Sequence, residues 1–354
     1  MAERMTELAL RRPELGDLSQ VASHRSVRLT DGSEEGVRAI DVRVAGGIHA
    51  QVIADRGLDL GPAWYAGYPL AWQSPTGIVH PSYYRDDVWL RSFHGGLMFT
   101  AGLQNVGSAV LDGEEAHGLH GRISNLPARN VRSEVIEDEK GLAVVVRGDV
   151  RETTVYGVDL VLHRRLAFRV GEPSIEVEDE VENLGYTACP VYLLYHVNLG
   201  HPVLDAASQL VSPATTVEGW DESSRGAEAE HGAFHAPSPN ARVEVFEHRM
   251  APDAPGEVTV ALVNPAHAAT RGIGVSLTYD RAQLPRLWHW RMLGEGLYVT
   301  GLEPANCGLL GRVMEAASGD PVLLEPGGSR PFALRIRAAV GDAAAAMLNE
   351  GTRP

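Results

Sequence analysis

The most constraining feature of this sequence is a two-residue alternation of apolar and polar side chains. In SIEVEDEVEN, Ile175, Val177 and Val181 alternate with glutamates. Successive side chains of a β-strand point to opposite faces, so this pattern predicts a strand with one face on a core and one in water. The same pattern recurs in VRLT, DVRV, HAQVIAD, LAVVVRGDV, VDLVLHRRLAFRV, RVEVFEH, VTVALV, GVSLTYD and FALRIRA.

Gly, Pro, Asn and Asp cluster between these segments, as in TDGSEEG, VENLGYTACP and EPGGSRP. Such closely spaced turns join strands in antiparallel order. Only DAAAAML indicates a helix, over 342–348 with Asp342 as its N-cap, and the small polar stretch 224–241 predicts a long surface loop. We therefore expect an all-β protein, a large antiparallel β-sandwich with very little helix, forming a single domain over residues 1–354.

Charge and cysteine content limit the classes of function. Lys and Arg number 31 against 46 Asp and Glu, a net charge of −15, whereas a nucleic-acid partner requires a basic face. No apolar run has the length of a signal peptide or of a membrane span, and Cys189 and Cys307 make no disulfide framework. We expect a cytoplasmic protein with neither nucleic acid nor membrane as a partner, and a sugar or other neutral small molecule fits this charge better than a polyanion. No feature indicates an oligomeric state.

Four segments depart from the alternation and combine polar side chains with Gly or Pro. They supply Arg56 in ADRGLDLGPAW, then His94, Gln104, His120 and Arg122 between FHGG and HGRISN, then His196 and Asn198 in YLLYHVNLG, and finally Glu303 in GLEPANCG.

Each of these residues has a structural alternative. Arg56 lies between two aspartates and is equally compatible with an ion pair, while His196 follows an apolar strand and is compatible with a hydrogen-bonded core histidine. Of Trp288 and Trp290, one is expected to pack in the core and the other is left open between packing and stacking on a sugar. A glutamate at position 303 is costly to desolvate unless it is paired or used chemically.

The sequence lacks the motifs of metal, nucleotide and serine-nucleophile sites. It contains no HExxH, Cys cluster, GxGxxG, GxxxxGK[ST] or GxSxG, so we predict no metal and no cofactor. The remaining chemistry is proton transfer between a carboxylate and an imidazole near neutral pH. Opening of a sugar ring needs such a pair, because the anomeric hydroxyl loses a proton while the ring oxygen gains one.

The chain resembles the aldose 1-epimerases, or galactose mutarotase-like proteins, in the order of three motifs: GLHG, then a strand that ends in His and is followed by NL, then GLEP. Three segments resemble a less characterised branch of that superfamily, namely DRGLDLG, FHGG and GLEPANCG. The resemblance implies a β-sandwich in which Glu303 is the general base, His196 the general acid and His120 a substrate-binding residue. Arg56 is then a candidate for holding sugar hydroxyls.

The sequence departs from the mutarotase pattern at three positions. Arg122 replaces the second glycine of LHGG, Tyr195 stands where asparagine usually precedes the acid histidine, and His94 has no counterpart. The leading prediction is a cofactor-independent carbohydrate epimerase, with substrate positioned by the residues His94, His120, Arg56, Gln104, Arg122 and Asn198. Two alternatives are a carbohydrate-binding protein without turnover and a metal-assisted sugar lyase or isomerase.

Overall fold

The computed structural model describes residues 12–251, 256–318 and 321–349. Its first sheet has five strands in the order of the chain: β1 (Ala22–Arg28), β2 (Arg38–Val44), β3 (His49–Ile53), β4 (Asp59–Tyr65) and β5 (Tyr68–Pro69). A two-stranded ribbon consists of β7 (Val110–Asp112) and β8 (Glu115–His117).

Two larger sheets carry most of the remaining chain. The eight-stranded sheet contains, from edge to edge, β14 (Gln209–Val211), β17 (Glu257–Asn264), β18 (Ile273–Asp280), β22 (Ser329–Val340), β12 (Ser174–Asn183), β11 (Asp159–Arg169), β10 (Gly141–Thr153) and β9 (Arg129–Asp138). The seven-stranded sheet contains β15 (Thr216–Gly219), β16 (Val243–Arg249), β19 (Arg286–Gly294), β20 (Leu297–Ala305), β13 (Cys189–Leu199) and β21 (Val322–Leu324), with β6 (Phe99–Leu103) paired to β13.

All pairings between these strands are antiparallel. One hydrophobic cluster joins the three large sheets, with Val42 from the first, Leu166 from the second and Leu193 from the third among its buried members. This confirms the predicted all-β antiparallel sandwich, whereas the single domain stays a prediction. β12 shows the alternation directly, since Val177 and Val181 are buried while Glu178 is exposed.

α-Helix is confined to two short segments of the described residues, α1 (Arg312–Ser318) and α2 (Asp342–Met347). α2 confirms the predicted C-terminal helix, but the N-cap prediction is wrong. Asp342 is the first helical residue, and Gly341 occupies the N-cap position at φ 61° without a side-chain hydrogen bond. α1 is not apparent in the sequence because RVMEAAS buries none of its residues and so has no apolar face.

The predicted surface loop at 224–241 contains no strand or α-helix, and a 3-10 turn covers Glu228–Glu230. None of the helices in the described ranges has the length and apolar composition that crossing a bilayer requires.

A fully buried ion network lies between the sheets. Arg164 on β11 faces Asp179 on β12, and its guanidinium donates to Asp179 Oδ2 at 2.6 Å and to Asp59 Oδ1 at 2.5 Å. Burial alone would lower the pKa of Arg164, but Asp179 and Asp59 raise it above its usual value. The Tyr195 hydroxyl donates to Asp179 Oδ2 at 2.7 Å. The charges are therefore mutually compensated, and β13 is tied to the network through Tyr195.

Candidate functional site

Strand alternation gives the seven-stranded sheet a second face, opposite the core. On β13 the odd-numbered residues Leu193, Tyr195 and Val197 join the main core, so His196 points the other way. Side chains on that second face, together with four segments between strands, line a cavity of about 500 Å³. Its lining is Trp72, Ser74, Pro75, Thr76, Trp89, Leu90, Phe93, Leu119, His120, His196, Val243, Val245, Trp290, Met292, Leu297, Val299, Glu303 and Leu309.

The strand register brings a carboxylate and an imidazole together in this cavity. β13 and β20 pair Val197 with Leu302, which places His196 opposite Glu303. His196 Nε2 lies 3.1 Å from Glu303 Oε1, and the two side chains are 6% and 3% exposed. Although the distance is that of an ion pair, the ring N–H is not aligned for a hydrogen bond, and Glu303 Oε1 and His196 Nδ1 have no hydrogen-bond partner among the described residues.

Gly301 makes the space in which this pair sits. It lies on β20 opposite Asn198 of β13 and Trp290 of β19. A Cβ at this position would be 2.6 Å from Glu303 Oε1 and 2.9 Å from His196 Cε1, both closer than van der Waals contact allows. The sheet surface is therefore hollowed where the two functional groups meet.

Burial sets the protonation of the pair. Desolvation raises the pKa of Glu303 well above its usual value. Desolvation lowers the pKa of His196 to about 3, and the neighbouring His120 makes a smaller contribution in the same direction. Because burial penalises the charged form of both groups, it favours a protonated carboxyl beside a neutral imidazole. One group can then donate a proton while the other accepts one.

His120 forms the third polar wall of the cavity. Its ring centroid lies 6.2 Å from that of His196, and burial lowers its pKa to about 4. The Gly107 N–H donates to its Nδ1 at 3.4 Å, so the neutral ring carries its proton on Nε2 and acts there as a donor. The backbone of His120 is left-handed at φ 57°, and Gly121 follows at φ 68°, where a side chain would collide with the Gly102 carbonyl oxygen. The turn that positions His120 therefore requires a glycine at position 121, the last residue of GLHG.

Aromatic rings form the rest of the wall around the pair. The ring of Phe93 lies 5.2 Å from that of His196 and the ring of Trp290 lies 5.3 Å from it, while Trp89 lies 5.0 Å from His120. Trp288 is fully buried in a separate core cluster. One tryptophan of the LWHW segment therefore packs in the core, as expected, and the other lines the cavity.

The structure places Arg56 away from the cavity lining. Its fully buried guanidinium donates to the carbonyls of Ser124, Val79 and Ser92 and to Asn125 Oδ1, at 2.7–2.8 Å. Burial lowers its pKa to about 10. Arg56 is thus a structural link between loops, and it makes no ion pair with Asp55, whose carboxylate binds Arg38 at 2.5 Å.

Gln104 and Asn198 are also bonded to protein groups beside the cavity. Gln104 Nε2 donates to the buried Glu152 at 3.1 Å. Asn198 Nδ2 donates to the carbonyls of Gly96 at 3.1 Å and of His196 at 2.9 Å. Asn198 therefore holds the backbone that carries His196 against the FHGG loop.

Arg122 and His94 also lie outside the lining. Arg122 is half-buried, and its charge acts on the pKa of Glu152. His94 is 1% exposed, and neither ring nitrogen has a hydrogen-bond partner among the described residues. Burial lowers the pKa of His94 well below the usual value, and the charge of Arg56 lowers it further. His94 is therefore a neutral ring behind the cavity wall.

Sequence reasoning brought together Glu303, His196 and His120, but it missed two of the aromatic walls. Trp89 comes from the 3-10 turn over Asp86–Arg91, and Phe93 is the first residue of FHGG. The paired aromatic residues in VWLRSF were the available signal, and they were indistinguishable from ordinary core residues without the loop's position.

No group of three or more His, Cys, Asp or Glu side chains in the described ranges is arranged to hold a metal ion. A larger surface cleft of about 610 Å³ is lined by several arginines. There Arg286 binds Glu247 at 2.7 Å, and Arg249 binds the same carboxylate at 3.0 Å. The smaller cavity, with its buried acid and base, is therefore the candidate active site.

The antiparallel sandwich, with a carboxylate–imidazole pair in a hollow on one sheet, has the fold of galactose mutarotase-like proteins. The sequence matches the family model described as "Domain of unknown function (DUF4432)" over residues 34–338, and the chain belongs to that family. No curated protein shows significant similarity to the sequence.

Solved structures with the same fold come from several bacteria. A "putative aldose 1-epimerase" from Klebsiella pneumoniae superposes with a TM-score of 0.85 at 22% identity, covering 94% of this chain and 91% of the other. A galactose mutarotase-like protein from Clostridium acetobutylicum gives a TM-score of 0.60 at 12% identity, covering 91% and 99%. The galactose 1-epimerase of Lactobacillus acidophilus gives 0.58 at 14% identity, covering 90% and 99%. At these identities the likeness establishes the fold.

Proposed function

We propose that this protein is a cofactor-independent carbohydrate epimerase that interconverts the anomers of a sugar or sugar derivative. The observation that carries the proposal is the approach of His196 Nε2 to Glu303 Oε1, at 3.1 Å, in the wall of a ligand-sized cavity. General acid–base chemistry requires both groups within reach of one substrate. Fold relatives named for aldose and galactose 1-epimerase activity add support.

The pair can complete the reaction without a net change of its own protonation. Starting with the proton on Glu303, the His196 imidazole takes the proton of the anomeric hydroxyl while Glu303 gives its proton to the ring oxygen. The C1–O5 bond breaks and C1 becomes a carbonyl. After rotation about C1–C2, Glu303 recovers the proton from O5 and His196 returns its proton to O1 as the ring closes on the other face.

The family resemblance implies the opposite starting state, with Glu303 as base and His196 as acid. Both descriptions place one proton on the pair. They differ in whether the pair starts neutral, with the proton on Glu303, or charged, with the proton on His196. Burial favours the neutral pair. The charged pair then forms when the ring opens, where its two charges attract each other.

His120 Nε2–H is proposed to donate to a substrate oxygen. The protein hydrogen bonds of Arg56, Gln104 and Asn198 support a structural role for those residues.

The test replaces Glu303 with glutamine, which keeps the shape and removes the titratable proton. General acid–base groups contribute about 10²–10⁴-fold, so Glu303→Gln should slow the anomerisation of free sugars, followed by polarimetry, by that factor. Glu178→Gln, on an exposed face of β12, is the control and should keep the parent rate. A parent rate in Glu303→Gln would contradict the proposal, and sugar binding without turnover in the parent protein would favour a non-catalytic carbohydrate-binding protein.

A further inference from the structure

The polar groups of the candidate site are concentrated at one end of the cavity. His120, His196 and Glu303 line it together, and Trp89 Nε1 beside His120 is a buried donor without a hydrogen-bond partner among the described residues. These groups suffice for the anomeric hydroxyl and the ring oxygen of one hemiacetal.

The remaining hydroxyls of the lining are already engaged with the protein. The Thr76 hydroxyl lies 3.0 Å from the Phe93 carbonyl oxygen and 3.2 Å from Ser74 Oγ. The Ser74 oxygen also accepts from the Thr76 N–H at 3.2 Å. Both hydroxyls thus stabilise their own turn.

Apolar side chains form the rest of the lining. Three strands contribute an aliphatic surface, with Val245 on β16, Met292 on β19 and Val299 on β20. The tryptophan rings of Trp72 and Trp290 lie 6.3 Å apart at a T-shaped angle. A sugar hydroxyl buried against such a surface loses its bonds to water and gains no partner, which costs free energy for every hydroxyl.

The mouth of the cavity is apolar as well. Leu90, Val243 and Leu297 belong to the lining and are 69%, 44% and 37% exposed. Large apolar side chains around one opening are suited to cover an apolar ligand that reaches the surface.

We infer that the substrate is a reducing sugar that carries a hydrophobic substituent away from its anomeric carbon. The inference rests on the proposed epimerase function and specifies its substrate class. The hemiacetal carbon lies against His196 and Glu303, and the substituent fills the space between Trp72, Trp290 and the apolar mouth. An unsubstituted aldohexose is a poor substrate, because most of its hydroxyls face side chains that cannot bond to them.

The test compares two sugars with the same anomeric centre, D-glucose and 4,6-O-benzylidene-D-glucose. The benzylidene group ties up two hydroxyls and adds a phenyl ring. Apolar complementarity of this kind is worth about 10–200-fold, so kcat/KM for anomerisation of the benzylidene sugar should exceed that for D-glucose by at least about tenfold. Trp290→Leu should reduce this preference, measured as the ratio of the two kcat/KM values, and its melting temperature shows whether it is folded.

The outcomes separate the inference from the function on which it rests. Equal or faster anomerisation of D-glucose, lost in Glu303→Gln, overturns the substrate class and leaves the epimerase intact. If neither sugar reacts above background, the epimerase proposal fails, and equilibrium binding followed by tryptophan fluorescence decides the substrate class. Tighter binding of the benzylidene sugar than of D-glucose supports an apolar ligand, and equal or weaker binding overturns it.

Discussion

Substitution of Gly301 by alanine tests the geometry of the pair without removing either group. The new Cβ would lie 2.6 Å from Glu303 Oε1 and 2.9 Å from His196 Cε1. Contact distances of about 3.4 Å or more require the carboxylate oxygen to retreat by about 0.8 Å and the imidazole by about 0.5 Å. Displacements near 1 Å cost about 10²-fold in rate, equivalent to about 2.7 kcal/mol of activation free energy.

The fold should tolerate this change. Gly301 is not in the left-handed region, it lies inside β20, and the displaced side chains can move into the cavity. We expect the free energy of unfolding to change by about 1 kcal/mol or less. The rate of anomerisation would be measured by polarimetry and the stability by urea unfolding.

Gly274→Ala is the matched control, because Gly274 lies inside β18 of another sheet and its Cβ would be 3.1 Å from Val263 Cγ2. That variant should lose little activity. A Gly301→Ala protein that is folded and retains the parent rate would refute the claim that the spacing of Glu303 and His196 controls the reaction.

Two further predictions concern stability. Arg164→Met leaves Asp59 and Asp179 buried without their cation and should cost about 3–5 kcal/mol in urea unfolding. The control is Arg165→Met, from a partly exposed pair with Glu178, which should cost at most about 1 kcal/mol. Similar losses in the two variants would contradict the role of the network. Stability should also fall as the pH is lowered from about 6 to about 5, and urea midpoints that stay constant over this range would contradict this prediction. The loss of stability arises because the unfolded chain binds protons at five histidines whose pKa burial lowers in the folded protein, namely His94, His120, His196, His248 and His289. Two carboxyls oppose this loss, because burial raises the pKa of Glu152 and Glu303 in the folded protein.

The sandwich was predictable because alternation is a local property of the chain. A strand with one face on the core has alternating apolar and polar residues in its own sequence, as in β12. The same pattern contains a further signal. Arg164 and Asp179 occupy inward positions of their strands, where the neighbours are apolar, and two opposite charges at such positions indicate a buried ion pair.

The candidate pair was predictable only through the family resemblance. His196 and Glu303 are more than a hundred residues apart in the chain, and their approach depends on the pairing of β13 with β20, which no local pattern specifies. Arg56 and His94 illustrate the reverse case. Both lie beside glycines in segments typical of binding loops, yet their environments depend on which loops fold over them, and both are buried behind the cavity wall.

The two faces of β13 determine which residues of the cavity can be substituted without disturbing His196. Tyr195 anchors the strand in the ion network, and its neighbour His196 faces Glu303 in the cavity, so the core fixes the position of the imidazole. The residues that surround the ligand come largely from loops and from β16 and β19, outside that network. Combinatorial libraries can therefore vary the side chains at Leu90, Val243 and Met292 while leaving the proposed proton-transfer pair in place.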